Sequence, residues 1–370
     1  MTALGDPAVA TVGELIAEPI AVDHPLVMPP GVYFGLPEDK YHAALALSAS
    51  SIKHLRVSPL DYWARSALNP DREDEETDAK LIGKAYHKRI VEGREAFWRC
   101  YAAELDPGDY PGVARTNDDL KAVCAERGLK VGGTKADLIA RLVAHDPALS
   151  GIIWESLVSV HASEHQGKEL LPRDLIHKIE LAAAHIEKHP MLAKAFSGGQ
   201  PEVSVFWVDR ETGVPCKSRI DYLKATAIVD LKSFSNPLGK PIDVAVRHAI
   251  ATNLYHVQAA MYWRAVREAV AMIKLGLVFG DVPTEFLSAL TSANEDDRRF
   301  FFLFQATGVA PVARGYVLPR GTVFGIGDHI VASALLTFAN CWETFGPAPW
   351  VDMTDVQTFD DVTFPAWIGE

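Results

Sequence analysis

Two carboxylates and a lysine are set close together in SRIDYLKATAIVDLKSFS, residues 218–235, where Asp221 precedes Asp230 by nine positions and Lys232 follows by two. The stretch reads as a β-hairpin. In a strand, residues i and i+2 share a face, so Asp230 and Lys232 project together while Val229 and Leu231 project to the other side. Two acidic groups converging with an ammonium suit a divalent cation that activates water, since hard cations take carboxylate oxygens and a nearby lysine can steer the nucleophile. An exposed hairpin with a surface ion pair has the same pattern, so the D-x-K spacing alone does not choose between the two.

Other residues of chemical interest flank this hairpin. In LIGKAYHKRIVEG, residues 81–93, Gly83 and His87 stand four apart and share one side of a helix. Glu202 opens the alternating run EVSVFWVD, and Gln258 and Tyr262 lie at i and i+4 in an apolar helical stretch. Lys217 and Arg219 alternate with Asp221, placed to touch phosphate or to pair with the acids.

The elements that must position these groups follow from periodicity and breakers. Residues 48–51 cap a short helix, and Pro59 separates it from a second. The run DREDEETD, residues 71–78, reads as a solvated loop leading into a helix. A long helix is expected over 170–196 with a break at Pro190. Three strands follow across 202–233, then a helix over 247–270, a buried strand at 301–306 and a last helix over 328–344. Strands alternating with long helices indicate an α/β core.

Residues 117–145 form a separate pattern of two amphipathic helices, with Thr134 as N-cap of the second and Gly128 ending the first. The segment resembles a SAP-type helix-extension-helix motif through Arg127, Gly128, Leu129, Gly133, Lys135, Leu138, Ile139, Arg141 and Leu142. That family binds DNA, which would give Lys121, Arg127, Lys130, Lys135 and Arg141 the role of phosphate contacts. A helical hairpin serving as a spacer would show the same leucines.

The 370 residues carry a formal charge of −12, which argues against a bulk electrostatic grip on nucleic acid but leaves room for local basic patches. Cys100, Cys124, Cys216 and Cys341 are scattered, so no disulfide framework or zinc finger is suggested. No basic leader and no stretch long enough to span a bilayer stand out, and the expectation is a soluble intracellular protein without membrane contact. The organisation expected is an N-terminal arm over 1–30, a helical part of the main domain over 31–116, the SAP-like insertion over 117–145, and the core with its C-terminal helix over 146–370.

Taken in order, Gly83-x-x-x-His87, Glu202, Ile220-Asp221, Asp230-x-Lys232-Ser233 and Gln258-x-x-x-Tyr262 resemble the RecB-like branch of the PD-(D/E)XK nuclease superfamily. PPGVYFGLPEDKYHAALALSASSIKHLRVSPLDYW and ANCWETFGPAPW narrow the resemblance to the phage exonuclease VIII (RecE) type, from about Pro29 to Trp350 without the SAP-like segment. The resemblance implies an α/β restriction-endonuclease-like core, a central mixed β-sheet flanked by helices. It implies Mg²⁺, with Mn²⁺ able to substitute, on Asp221, Asp230, His87, Glu202 and the Leu231 carbonyl. Lys232 would serve the attacking water or the scissile phosphate, and Gln258 and Tyr262 would position Lys232 or the DNA backbone. Two ions roughly 4 Å apart could serve both the attacking and the leaving oxygen.

The activity implied is an exodeoxyribonuclease that degrades one strand of linear duplex DNA 5′-to-3′ and leaves 3′ single-stranded tails for recombination. The partners implied are double-stranded DNA ends, a single-strand annealing protein and further copies of the chain in a ring such as a tetramer. The location would be the cytoplasm of a bacterial host if the gene is phage-borne. Relatives with an iron-sulfur cluster have a downstream cysteine triplet that this chain lacks, so no cluster is expected. Two other readings remain open: a structure-specific endonuclease on the same core, and a DNA-binding recombination accessory protein with a decayed site.

Overall fold

The computed structural model describes residues 21–73 and 77–351. The first twenty residues of the expected arm, the centre of the acidic run at 74–76 and the tail from 352 onward lie outside them.

The longer strands are buried along most of their length, and seven strands form one sheet. These are β1 (Gly31–Tyr33), β4 (Gln200–Val208), β5 (Pro215–Lys224), β6 (Ala227–Phe234), β7 (Val278–Phe279), β8 (Arg299–Ala306) and β9 (Ala313–Leu318), in the order β7-β1-β4-β5-β6-β8-β9. Pairing is antiparallel from β1 through β6 and again for β8 with β9, while β1 with β7 and β6 with β8 run parallel. A short parallel ribbon joins β2 (Tyr101–Ala103) to β3 (Glu169–Leu171). This is the mixed, helix-flanked sheet expected of the α/β class.

Both faces of the sheet are covered, which explains why its central strands read as nearly continuous apolar runs. One face packs Val203, Val205, Ile220, Ile228, Phe300, Phe302 and Phe304 against α11 (Tyr255–Lys274), with α13 (Thr322–Phe345) and the pair α2 (Ala49–Val57) and α3 (Pro59–Arg65) in the same core. The opposite face sets Val229, Leu231 and Leu303 against α4 (Asp78–Val91) and α9 (Arg173–Lys188). α1 (Glu38–Ala43), α5 (Arg94–Cys100), α10 (Ile242–Thr252) and α12 (Thr284–Ser292) complete the main body.

Local chemistry fixes the element ends nearest the site. Ser48 and Ser51 form a reciprocal capping box at the start of α2, and the Ser58 hydroxyl accepts the Asp61 N–H at the start of α3, where Pro59 needs no partner. Expected and observed helices differ in three places. The stretch from 170 opens as β3, and α9 begins only at Arg173, after Pro172. The final helix starts at Thr322, earlier than its last heavily apolar segment suggests.

The single helix expected over 247–270 is two helices, because Thr252 and Asn253 turn their side chains back onto the His248 and Ala249 carbonyls and Leu254 takes a left-handed φ of 54°. That break re-aims the chain, so α11 starts at Tyr255 and presents Tyr255 and Gln258 to the sheet.

The insertion forms its own small core. Leu120 and Cys124 of α6 (Asn117–Glu126) meet Leu138 and Leu142 of α7 (Lys135–His145), together with Ala114, Leu149 and Ile153. Thr116 and Thr134 each close a capping box at a helix start. α8 (Trp154–Glu164) then leads back towards β3.

One expectation needs correction. By length and composition α13 could cross a membrane, the single described helix to do so. It buries Val331, Ala334, Leu335 and Phe338 in the protein core, which a core helix of a globular protein does equally well.

Candidate active site

β5 and β6 pair over only three positions, from Lys224↔Ala227 to Tyr222↔Val229, and then part. Backbone groups freed by such a fork must find partners elsewhere. Here side chains supply them: Asp221 Oδ2 accepts the Leu231 N–H at 2.8 Å, and the Tyr262 hydroxyl donates to the Arg219 carbonyl at 2.5 Å. The fork therefore opens between Asp221 and Asp230, both buried. On the other side of β5 the ladder with β4 skips Glu202 opposite Asp221, and Glu202 takes a left-handed φ of 52°. A non-glycine residue in that region stores strain, which the surrounding contacts must overcome.

Strands β4, β5 and β6 and helices α4 and α11 aim side chains into this opening. His87, on α4, lies between two carboxylates, its Nε2 3.1 Å from Asp221 Oδ2 and its Nδ1 3.2 Å from Glu202 Oε1. Gln258, on α11, donates to Asp230 Oδ1 at 3.1 Å and to the Tyr262 hydroxyl at 2.8 Å, and that hydroxyl lies 3.2 Å from Asp221 Oδ1. Lys232 Nζ sits 2.6 Å from Asp230 Oδ2 and 4.9 Å from the centre of the Tyr255 ring. The contacts of Gln258 and Tyr262 are thus to the two acids and to the β5 backbone rather than to Lys232. Gly83, one turn before His87, faces β6, and a Cβ there would meet Ser233 Oγ at 3.5 Å, an ordinary contact.

The electrostatics are those of a site short of positive charge. Burial pushes the Asp230 carboxyl up to about 7, with Asp221 adding to the effect and Lys232 opposing it. Burial also raises the Glu202 carboxyl. Against burial, His87 and Lys232 hold the Asp221 carboxyl below the usual range. Burial alone would lower His87, but Asp221 and Glu202 outweigh it and raise the imidazole to about 9. Lys232 is likewise held charged by Asp230 and Asp221 despite its burial. A set of three carboxylates and one imidazole fits a hard divalent cation, and a carboxylate pushed up to about 7 is what such a cation would relieve.

Several neighbours were not legible in the motif order. Glu92, just past the end of α4, brings a carboxylate within 4.8 Å of the His87 and Glu202 ligand atoms. Arg219 bonds Glu202 and donates to the Leu36 carbonyl at 2.8 Å, while its Nη1 is buried without a partner among the described residues. Lys53, on α2, lies 5.5 Å from the same Tyr255 ring that Lys232 faces. These groups line a cavity of about 470 Å³ with His87, Asp221, Lys232 and Gln258. A larger cavity of about 750 Å³ adjoins it and shares Tyr41, Ser48, Lys84 and Lys217. Lys217 is buried and donates to the Tyr41 and Ala44 carbonyls at 2.9 and 2.7 Å, so it pins that segment to the sheet.

The basic residues of the helical pair at 117–145 lie on a separate small core, outside this cavity. Lys121 pairs with Asp118 at 3.0 Å, Arg127 donates to the Val123 carbonyl at 3.2 Å, Lys135 pairs with Glu155, and Arg141 donates to the Lys130 carbonyl.

A forked hairpin carrying Asp221, Asp230 and Lys232, closed by a histidine from one helix and a Gln-Tyr pair from another, defines a nuclease of the PD-(D/E)XK class. Residues 48–285 match the family described as "PDDEXK-like domain of unknown function (DUF3799)", and the chain belongs to that family. Among solved structures, one named "Putative exonuclease" from Eubacterium rectale is 16% identical, with a TM-score of 0.31, covering 72% of this chain and 88% of its own. No curated protein matches the chain.

Proposed function

We propose that the protein is a Mg²⁺-dependent exodeoxyribonuclease of the exonuclease VIII (RecE) type, degrading one strand of linear duplex DNA 5′-to-3′ and leaving 3′ single-stranded tails. The observation that carries the nuclease reading is the fork itself, where two buried carboxylates and a lysine meet beside His87 and Glu202. The order of motifs and the flanking segments support the exonuclease type. Asp221, Asp230, His87 and Glu202, with the Leu231 carbonyl, would hold the metal, which when bound supplies a water of lowered pKa and positive charge at the phosphate.

The chain's own residues do the rest. Asp230 holds the Lys232 ammonium at the mouth of the fork, where it orients the attacking water or meets charge developing on the phosphate. Gln258 fixes the Asp230 carboxylate by a hydrogen bond and holds the Tyr262 hydroxyl, which donates to the Arg219 carbonyl beside Asp221, so the donor set is in place before substrate arrives. Arg219 Nη1, a buried donor without a partner among the described residues, is available to a phosphate oxygen. A duplex end, a single-strand annealing protein and further copies of the chain are the partners of this reading, and the insertion is its second DNA contact.

Digestion of linear duplex labelled at either the 5′ or the 3′ end, with Mg²⁺ or chelator and beside a closed circle, tests the whole reading. Release of 5′ label first, dependent on Mg²⁺, with circles intact, is expected. Cutting of circles would select the structure-specific endonuclease reading. Unchanged cleavage by Asp230→Asn would remove the fork as the catalytic centre.

A further inference from the structure

The last turn of α8 carries His161 and Glu164, and His165 caps it; each offers one ligand atom within 4.8 Å of the others. His161 and His165 are four apart on one helix face, with ring centroids 4.2 Å apart. Each imidazole already gives one nitrogen to a backbone carbonyl: His161 Nε2 to Ala103 at 2.8 Å, and His165 Nδ1 to His161 at 2.9 Å. A carbonyl only accepts, so those nitrogens carry the hydrogens of the neutral rings. The remaining nitrogens, Nδ1 of His161 and Nε2 of His165, therefore present lone pairs. Such a carbonyl on the far nitrogen is the arrangement that fixes the tautomer of metal-bound histidines. Glu164, between them, has no ion pair among the described residues and is exposed.

How α8 is held gives this cluster a purpose. None of its residues is buried. Its first turn is tied to the insertion, through the Trp154 N–H on the Ala114 carbonyl at 3.0 Å and the Glu155 pair with Lys135. Its last turn meets the main body at Ala103 of β2 through His161. A helix with so little apolar anchorage gains most from a fixed point at that end.

We propose that His161, Glu164 and His165 form a second metal site, separate from the fork, for a borderline divalent cation of the zinc type. Two imidazole nitrogens and one carboxylate suit Zn²⁺ in preference to Mg²⁺, which keeps to oxygen ligands, and water completes the tetrahedron. The bound ion braces the last turn of α8 and holds the His161 ring, whose Nε2 meets the Ala103 carbonyl of β2. Its role is structural, and DNA cleavage at the fork proceeds without it.

Zn²⁺ stoichiometry and affinity, measured by chelator competition on the full chain, test the site. His165→Gln and His161→Gln should each lose one equivalent of tightly bound Zn²⁺, and Glu164→Gln, at an exposed position that folding does not depend on, should weaken that equivalent at least about tenfold. Added Zn²⁺ should raise the melting temperature of the unaltered protein but not of His165→Gln, with Mg²⁺-dependent DNA cleavage equal in both. Equal Zn²⁺ stoichiometry and affinity in the unaltered chain and all three variants would overturn the proposal. So would competition by Mg²⁺ for the equivalent that His165 holds.

Discussion

At the scale of single residues, His87 makes the clearest prediction because it sits between two carboxylates. Its folded value of about 9 lies above the usual 6.5, so the ion pairs with Asp221 and Glu202 add stability that is fully present below pH 6.5 and lost as pH rises through 9. The shift corresponds to a contribution on the order of 3 kcal/mol. Urea midpoints measured in chelator should therefore favour the unaltered protein over His87→Gln at pH 6, and the gap should shrink towards pH 9.5. A gap independent of pH would mean that the imidazole is not charged in the folded state. The motif residues were legible in sequence because their spacing is local: i and i+2 in a strand, i and i+4 in a helix. Arg219 was legible from its alternation with Asp221, and it pairs with Glu202; Glu92 and Lys53 were hidden as partners of the site, since spacing along the chain says nothing about which elements converge. The left-handed backbone at Glu202 was equally hidden, because nothing about a Glu after Pro201 marks a positive φ.

At the scale of elements, the site depends on how closely α11 and α13 cross. Gly327 makes the crossing possible: a Cβ there would lie 2.3 Å from the His256 carbonyl oxygen, a backbone atom of the first turn of α11. The same turn carries Tyr255 and Gln258. Gly327→Ala should push α13 off α11 at a cost of about 1–3 kcal/mol and lower cleavage by disturbing the Gln258 bond to Asp230. Gly325→Ala on the same helix meets nothing within 4 Å and should be neutral or slightly stabilising, since alanine favours helix over glycine. Equal urea midpoints for the two variants would show that the crossing relaxes freely. The three central strands and the apolar strand β8 were readable from alternation and from continuous apolar runs. β1, β7 and β9 were not, because two of them are too short to show a period and β9 is an edge strand with mixed exposure. The break between α10 and α11 was missed for a different reason: the apolar pattern continues across it, and only the side chains of Thr252 and Asn253 reveal the stop.

For the whole molecule, charge decides how DNA would be held under the proposed function. A chain of net charge −12 cannot rely on its overall field, so any phosphate contact must come from local groups. The fork and its cavity supply one such place. The insertion would supply a second, but most of its basic side chains are already engaged: Arg127 and Arg141 brace their own backbone, and Lys135 is paired to Glu155. Lys130 is exposed, and Lys121 is held by a single exposed aspartate, an interaction worth little in water. These two are the side chains that a phosphate backbone could recruit at small cost. If the insertion grips DNA, changing Lys121 and Lys130 to alanine in an Asp230→Asn background should reduce the slope of log K against log salt by about 2, since each phosphate contact contributes about 0.9. The Asp230 change keeps the substrate intact during the measurement, and the two lysines lie outside both packed cores of the main body, so folding is not at stake. An unchanged slope would assign the insertion a spacing role and leave the fork and its cavity as the sole DNA contact.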